Sequence, residues 1–367
     1  MPERILIVRL RQIGDVAFTT PAIAALRRRY PDAHLAYLVE PAAAPVVDGN
    51  PHLDDVIVAP KRKGLGGLIA DIALGRRLRR EHYDLAIDFH GGPRASLLTL
   101  LSGAPRRIGY DIVARRWMYT EIVDRPRELR RRHSVENQWD LLKALDIPRP
   151  TPSANPLEMA VDRAAADRVR SRLQAAGVTP ADEIAVVHVS ASSPFRRWPL
   201  GSFIETVAAL AAKQGRRIIV TSGPSEREAV LRILGEARGR VPDSSRHRVL
   251  DFGDLSLAEL RALLDQSAVY IGGDSGPLHL AAATRVPIVA IFGPTPSERS
   301  APWRDPALPT ALIEVDGLPC RPCDQRVCEP GDFRCLTRID AARVIDAAER
   351  LLDRRAAAVS HAGSNVS

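Results

Sequence analysis

Short apolar runs separated by longer amphipathic stretches repeat along the whole chain. In the first half the runs lie at 4–10, 34–39, 56–59, 84–89 and 107–110, each bounded by turn-forming residues, as strands are. At 16–29, 66–80 and 93–102 the apolar positions instead recur at the three-to-four-residue spacing of a helix. A further helix at 134–145 runs into Ile147-Pro148-Arg149-Pro150-Thr151-Pro152, a stiff segment that reads as a linker. The pattern then restarts with a helix at 161–176 and strands at 184–189, 217–221, 248–251, 269–271 and 287–292, with helices between them. Strands alternating with helices build parallel sheets covered on both faces. The chain is therefore expected to form two doubly wound, Rossmann-like α/β domains, 1–152 and 153–339, facing a central cleft. A last helix, 340–354, is expected to pack back on the first domain, and 356–367 to be a disordered tail.

The most informative stretch is 269–295, where two apolar runs flank Gly272-Gly273-Asp274-Ser275-Gly276-Pro277. This is strand, tight turn, helix and strand, with Pro277 suited to a first helical turn and Ser275 or Gly276 to its cap. In open α/β sheets ligands sit beyond the carboxyl ends of the strands, so the turn could receive an anion flanked by Asp274 and His279, or could be a plain structural turn. Other strand ends offer chemistry of the same kind. Gly14-Asp15 follows the first strand, where the carboxylate could act as a general base or only cap the next helix. Ser190, Ser192, Ser193 and Arg196 follow the strand at 184–189, and hydroxyls with a guanidinium suit diphosphate oxygens. Glu226, in another strand–turn–helix, could bind a ribose or cap its helix.

Composition adds a bias toward anionic partners. The 367 residues carry a formal net charge of +8, with basic runs at 61–63, 106–107, 115–116 and 130–132. Each run is a solvated surface or a contact for an acidic substrate. No aromatic stacking platform interleaves them as single-strand nucleic-acid binders require, so nucleic acid is not an expected partner. The apolar run at 5–8 is too short for a secretory signal, which leads to the expectation of a cytoplasmic protein. All four cysteines fall in Cys320-x2-Cys323-x4-Cys328-x6-Cys335, which reads either as a structural zinc knuckle or as four reduced thiols in a packed loop.

Three segments in order, R-L-R-Q-I-G-D-V-A-F-T-T-P at 9–21, H-V-S-A-S-S-P-F-R-R-W-P at 188–199 and G-G-D-S-G-P-L-H-L-A-A-A at 272–283, resemble glycosyltransferase family nine, the bacterial heptosyltransferases of lipopolysaccharide core assembly. The resemblance covers nearly the whole chain and extends to the cysteine window. It implies a GT-B fold, an ADP-heptose donor, an inner-core or Kdo-lipid A acceptor that is an acidic glycolipid, and inversion at the anomeric carbon with no cofactor required for catalysis. It matches Asp15 to the catalytic aspartate, and Asp274, Ser275, Gly276 and His279 to the donor loop. Arg196 stands where many members carry lysine, so a planar fork replaces a compact ammonium beside the leaving diphosphate. On the acceptor side the candidates are Gly14, Thr19, Arg62, Lys63 and Arg132, with peripheral contact at the inner-membrane surface. A sugar-nucleotide epimerase of similar shape and a non-catalytic anionic-glycan binder are the alternatives.

Overall fold

The computed structural model describes residues 2–61, 64–125, 132–189 and 193–364, with side chains through 355. The chain divides into two units, one running through Ala160 and reclaiming Trp303–Asp305, the other holding the remainder.

In the first unit the order is β1 (Arg4–Val8), α1 (Ile13–Ala17), α2 (Thr20–Arg29), β2 (His34–Val39), β3 (Asp55–Val58), α3 (Gly64–Arg80), β4 (Leu85–Asp88), α4 (Pro93–Leu101), β5 (Arg106–Tyr110), β6 (Glu121–Val123) and α5 (Ser134–Trp139). The six strands form a parallel sheet in the order β3-β2-β1-β4-β5-β6. Its central strands read as apolar runs because helices cover both faces, and Ile5, Leu6, Ile7 and Val8 are wholly buried.

The second unit runs α6 (Arg163–Ala175), β7 (Glu183–Val189), α7 (Leu200–Ala212), β8 (Arg216–Ser222), α8 (Arg227–Arg240), α9 (Asp243–Arg246), β9 (Val249–Asp254), α10 (Leu257–Asp265), β10 (Val269–Gly273), α11 (Gly276–Ala282), β11 (Ile288–Ile291), α12 (Ser297–Ser300), β12 (Thr310–Ile313), α13 (Arg334–Thr337) and α14 (Ala341–Ser364). Its parallel sheet is ordered β12-β11-β10-β7-β8-β9, the same winding as the first. In each unit the winding reverses beside the first strand, between β1 and β4 and between β7 and β10. Such a switch point splays the loops apart and leaves a crevice at the strand ends. The expected pair of doubly wound α/β domains is present.

The C-terminal segment departs from expectation. The final helix belongs to the second unit: Val344, Ala347, Ala348, Leu351 and Leu352 join the core around Ile291 and Ile313. It also continues to Ser364, so 356–364 is helical rather than a disordered tail, in keeping with the high helix propensity of Ala356-Ala357-Ala358. The proline-rich stretch at 147–152 does not end the first unit. Leu157 and Met159 bury beyond it, and Trp303 donates its indole N–H to the Asn155 carbonyl at 2.7 Å.

Candidate active site

At the first switch point, β1 delivers Arg9 from a buried position at its carboxyl end. Arg9 Nη1 donates to the Phe89 carbonyl at 2.6 Å, and Nη2 pairs with Asp15 Oδ2 at 2.5 Å. Asp15 occupies the first turn of α1 with its side chain 39% exposed. Its carboxylate also meets the Gln12 N–H at 3.5 Å, so the capping contact is long and the arginine is the closer partner. Phe89 is itself fixed from behind. Asp88, fully buried at the end of β4, accepts the N–H groups of His90 and Gly91 at 2.9 Å each and the Tyr119 hydroxyl at 2.6 Å. Burial pushes the Asp88 carboxyl up from its ordinary range, against the pull of the Tyr119 hydroxyl and the two amides.

Arg9 and Asp15 open into a cavity of about 90 Å3 that Arg125, Asn137 and Gln138 also line. Gln138 is buried, donates Nε2 to the Asp15 carbonyl at 3.4 Å and leaves Oε1 without a hydrogen-bond partner among the described residues. The cavity lining thus combines three carboxylates, Asp15, Asp124 and Asp140, with two guanidinium groups and the amides of Asn137 and Gln138, a set suited to a polyhydroxylated ligand. None of Arg9, Asp88, Arg125 and Gln138 stood out from the sequence. A charged residue ending an otherwise apolar strand was the available signal for Arg9 and Asp88.

Of the acceptor-side candidates, Gly14 lies in α1 beside Asp15. Thr19 is a correction: it is fully buried, and its hydroxyl is spent on the Val16 carbonyl and the Tyr37 hydroxyl, both at 2.6 Å. It holds the helix entry and cannot meet a ligand. Arg132 binds the Asn137 side chain at 2.8 Å and the Asp140 carboxylate, so it braces the cavity wall. Arg62 and Lys63 lie outside the described residues.

At the second switch point, Ser190 and Ser192 likewise lie outside the described residues, and the chain resumes at Ser193 in a short 3-10 turn, Pro194–Arg196. Arg196 pairs with Asp274 at 3.2 Å and donates Nε to Gln325 Oε1 at 2.8 Å, so both edges of its fork are held. Asp274, buried at the end of β10, also accepts the Ser300 hydroxyl at 3.1 Å, with His279 Nε2 4.0 Å away. Ser275 is the N-cap residue of α11 and Gly276 its first residue. Glu226, buried, takes the Ser225 hydroxyl at 2.7 Å and Arg197 at 3.3 Å, which shows that its carboxylate is not spent on a helix cap. The switch point therefore gathers Arg196, Asp274, Ser275, Gly276 and His279 from segments far apart in sequence.

Below this site His188 is buried on β7 with Nδ1 2.9 Å from the Thr221 hydroxyl, and burial holds its pKa down at about 4. As pH falls from the ordinary imidazole range toward that value, the unfolded chain binds a proton that the folded chain refuses. Stability should fall across that window, by at most about 3 kcal/mol from this group. His188→Asn should flatten the drop when urea unfolding is compared between about pH 7 and about pH 4.5. Equal drops in both proteins would remove His188 as the cause.

The four cysteines are free thiols lining one cavity of about 530 Å3 next to Phe195 and Phe333. Burial pushes the Cys335 thiol up from its ordinary value. Four thiols are a donor set that zinc accepts, yet among the described residues no three of the His, Cys, Asp and Glu side chains are gathered so that they could hold an ion. What the window visibly does is carry Gln325, whose amide binds Arg196 on one side and the Thr295 hydroxyl, at 3.2 Å, on the other.

The chain is similar to known proteins over nearly its whole length. The chain is 28% identical to lipopolysaccharide heptosyltransferase 3 of Escherichia coli, over 94% of this chain and 97% of that protein. Among solved structures, a glycosyl transferase family 9 protein from Veillonella parvula superposes with a TM-score of 0.83 at 22% identity, covering 96% of this chain and 98% of that one. The E. coli ADP-heptose lps heptosyltransferase II superposes with a TM-score of 0.76 at 20% identity, covering 96% and 99%. These likenesses show that the fold is the GT-B class of two Rossmann-like units. The family described as glycosyltransferase family 9 (heptosyltransferase) matches residues 72–331, well over half of the sequence, and the chain belongs to that family and is a glycosyltransferase.

Proposed function

We propose that this chain moves a heptose from ADP-heptose onto the inner core of lipopolysaccharide, Kdo-lipid A or a heptosyl acceptor, with inversion and without a metal ion. The observation that carries the reading is the content of the two switch points. One holds a part-exposed carboxylate, Asp15, fixed by a buried arginine in a polar cavity. The other holds a braced arginine, Arg196, beside Asp274. The relatives' names supply the heptose, the ADP and the lipopolysaccharide.

In this reading the first unit binds the acceptor. As the acceptor hydroxyl attacks the anomeric carbon, its proton passes to the Asp15 carboxylate. Gly14, with no side chain beside Asp15, lets the sugar approach, and Arg62, Lys63 and the wall braced by Arg132 are assigned to binding the acidic parts of the glycolipid. The second unit binds the donor through Ser190, Ser192, Ser193, Ser275, Gly276 and His279, with Glu226 toward the ribose. The bond from the anomeric carbon to the diphosphate oxygen breaks, and Arg196 stabilises the charge that develops on departing ADP. A single displacement by the acceptor inverts the anomeric centre. The cysteine window acts at most as a structural staple, with zinc or without it. The reaction is placed at the cytoplasmic face of the inner membrane, where the enzyme is peripheral. Among the described residues no helix is long and apolar enough to cross a membrane.

The test incubates the chain with ADP-heptose and a heptose-deficient core oligosaccharide, following ADP release and acceptor mass. Transfer should require both substrates and persist in excess EDTA. Isomerisation of the donor without acceptor would instead support the epimerase alternative. Turnover lost in EDTA and restored by magnesium or manganese, without refolding, would end the metal-independent reading.

A further inference from the structure

The helix α3 turns a row of large apolar side chains to solvent. Leu65, Leu68, Ile69 and Ile72 are 81%, 51%, 67% and 38% exposed. At the helical turn angle these four positions fall within about 100° of arc, a single stripe. The packed face is centred on Leu74 and Leu78, which join the core, and Gly75 lies at the boundary between it and the stripe, where a β-carbon would lie 2.6 Å from that of Leu101 on α4. The stripe is thus a second apolar face in addition to the one the core uses. Scattered exposed apolar residues need no explanation, but a contiguous row marks an interaction surface.

Charge tells which surface. Continuing toward the C-terminus, the same face carries Arg76, Arg79 and Arg80, all exposed, with Arg77 next to them and Lys61 just before the helix. Asp71 is the one acidic residue of α3; it points away from the stripe and is neutralised by Arg94 at 2.8 Å. A stripe of leucine and isoleucine followed by arginines, with no unpaired acid, is the pattern of a helix lying in a membrane interface. A second segment repeats it. After β5, Val113 and Trp117 are 82% and 65% exposed beside Arg115 and Arg116, and tryptophan favours the headgroup level. Both segments pack against α4, and both follow strands that end, like β1, at the Asp15 end of the parallel sheet.

We propose that the exposed face of α3, assisted by the Val113–Trp117 segment, docks the protein onto an anionic phospholipid surface. The apolar stripe enters the acyl boundary, and the arginines meet lipid phosphates. The surface stands on exposure and charge; its purpose, holding the acceptor cavity at the bilayer where a glycolipid is presented, rests on the function proposed above.

The experiment sediments the full chain with vesicles of phosphatidylcholine alone, or of phosphatidylcholine with three parts in ten phosphatidylglycerol. The protein should pellet with the anionic vesicles, and binding should weaken about tenfold or more on neutral vesicles or in about 0.5 M NaCl. Leu68→Glu/Ile69→Glu should lose binding about tenfold or more at unchanged melting temperature, and Arg76→Gln/Arg79→Gln should lose the preference for anionic lipid. Failure of the wild-type chain to pellet, or equal pelleting of wild type and both variants, would overturn the proposal. So would a wild-type dimer that Leu68→Glu/Ile69→Glu converts to monomer, because a second copy would then cover the face. Transfer to a water-soluble core oligosaccharide should be unchanged in Leu68→Glu/Ile69→Glu. If the wild type transfers nothing to any acceptor while the vesicle results hold, the docking surface stands and the proposed reaction falls.

Discussion

Replacing Asp15 by asparagine is expected to lower turnover roughly a hundred- to ten-thousand-fold, the range that removal of a positioned general base commonly costs. Asparagine keeps the size of the side chain and its long contact to Gln12, but it cannot take the proton of an attacking hydroxyl. It also weakens the ion pair with Arg9, a buried residue left holding the Phe89 carbonyl. The variant should therefore lose about 1–3 kcal/mol of stability, enough to see in a melt and too little to unfold the protein. A further readout separates a base from a structural partner. Affinity for ADP, measured by calorimetry, should be unchanged, because the residues proposed to hold the donor belong to the second unit. Near wild-type turnover in a folded Asp15→Asn protein would remove Asp15 from the reaction and leave it as the partner of Arg9.

The second large effect concerns Arg196. Arg196→Ala should reduce turnover by about a hundred- to a thousand-fold if the guanidinium stabilises the departing diphosphate, since removing one preorganised charge-stabilising group costs about that much. The geometry adds a finer expectation. Both edges of the fork are used, toward Asp274 at 3.2 Å and toward Gln325 at 2.8 Å. Lysine at this position would keep a charge but could not hold both partners, so Arg196→Lys should recover part of the rate and not all of it. Because Asp274 is buried, Arg196→Ala also leaves that carboxylate without its cation, and ADP affinity should change with it. The discriminating comparison is Gln325→Ala, which frees one edge of the arginine while leaving its charge and the Asp274 pair. A rate between those of wild type and Arg196→Lys would show that bracing matters. If Arg196→Ala turned over like wild type, charge stabilisation would have to come from elsewhere in the second unit.

The two sheets were legible in the sequence to different depths. Central strands such as Ile5–Val8 and Ile184–Val187 announce themselves because burial on both faces demands unbroken apolar runs. The edge strands β6 and β12 escaped notice. Glu-Ile-Val and Thr-Ala-Leu-Ile are short and part-exposed, and they are held as strands mainly by pairing with a neighbour already in place. The boundary at 147–152 followed from prolines, a local signal. That the first unit extends through Ala160 depends on Trp303, whose partner Asn155 is distant in sequence.

The candidate site divides in the same way. Sequence alone determined the alternation that makes two parallel sheets, the turns at strand ends where Asp15, Arg196 and Asp274 stand, the clustering of the cysteines and the basic character of the chain. Each of these is a matter of residue type and short-range spacing, and backbone geometry converts such spacing directly into elements and turns. Only the tertiary structure decided which groups touch. It paired Arg9 with Asp15, braced the Phe89 turn through Asp88 and Tyr119, brought the Gln138 amide to the Asp15 carbonyl, and tied Arg196 to the cysteine window through Gln325. It withdrew Thr19 into the core, moved the last helix onto the second sheet, and left the stripe of α3 uncovered. Apart from the Arg9–Asp15 pair, these outcomes depend on contacts between residues tens to more than a hundred positions apart, and on whether a second layer arrives to cover an apolar face. A hydrophobic pattern records that a face is apolar; it does not record what, if anything, the folded chain sets against it.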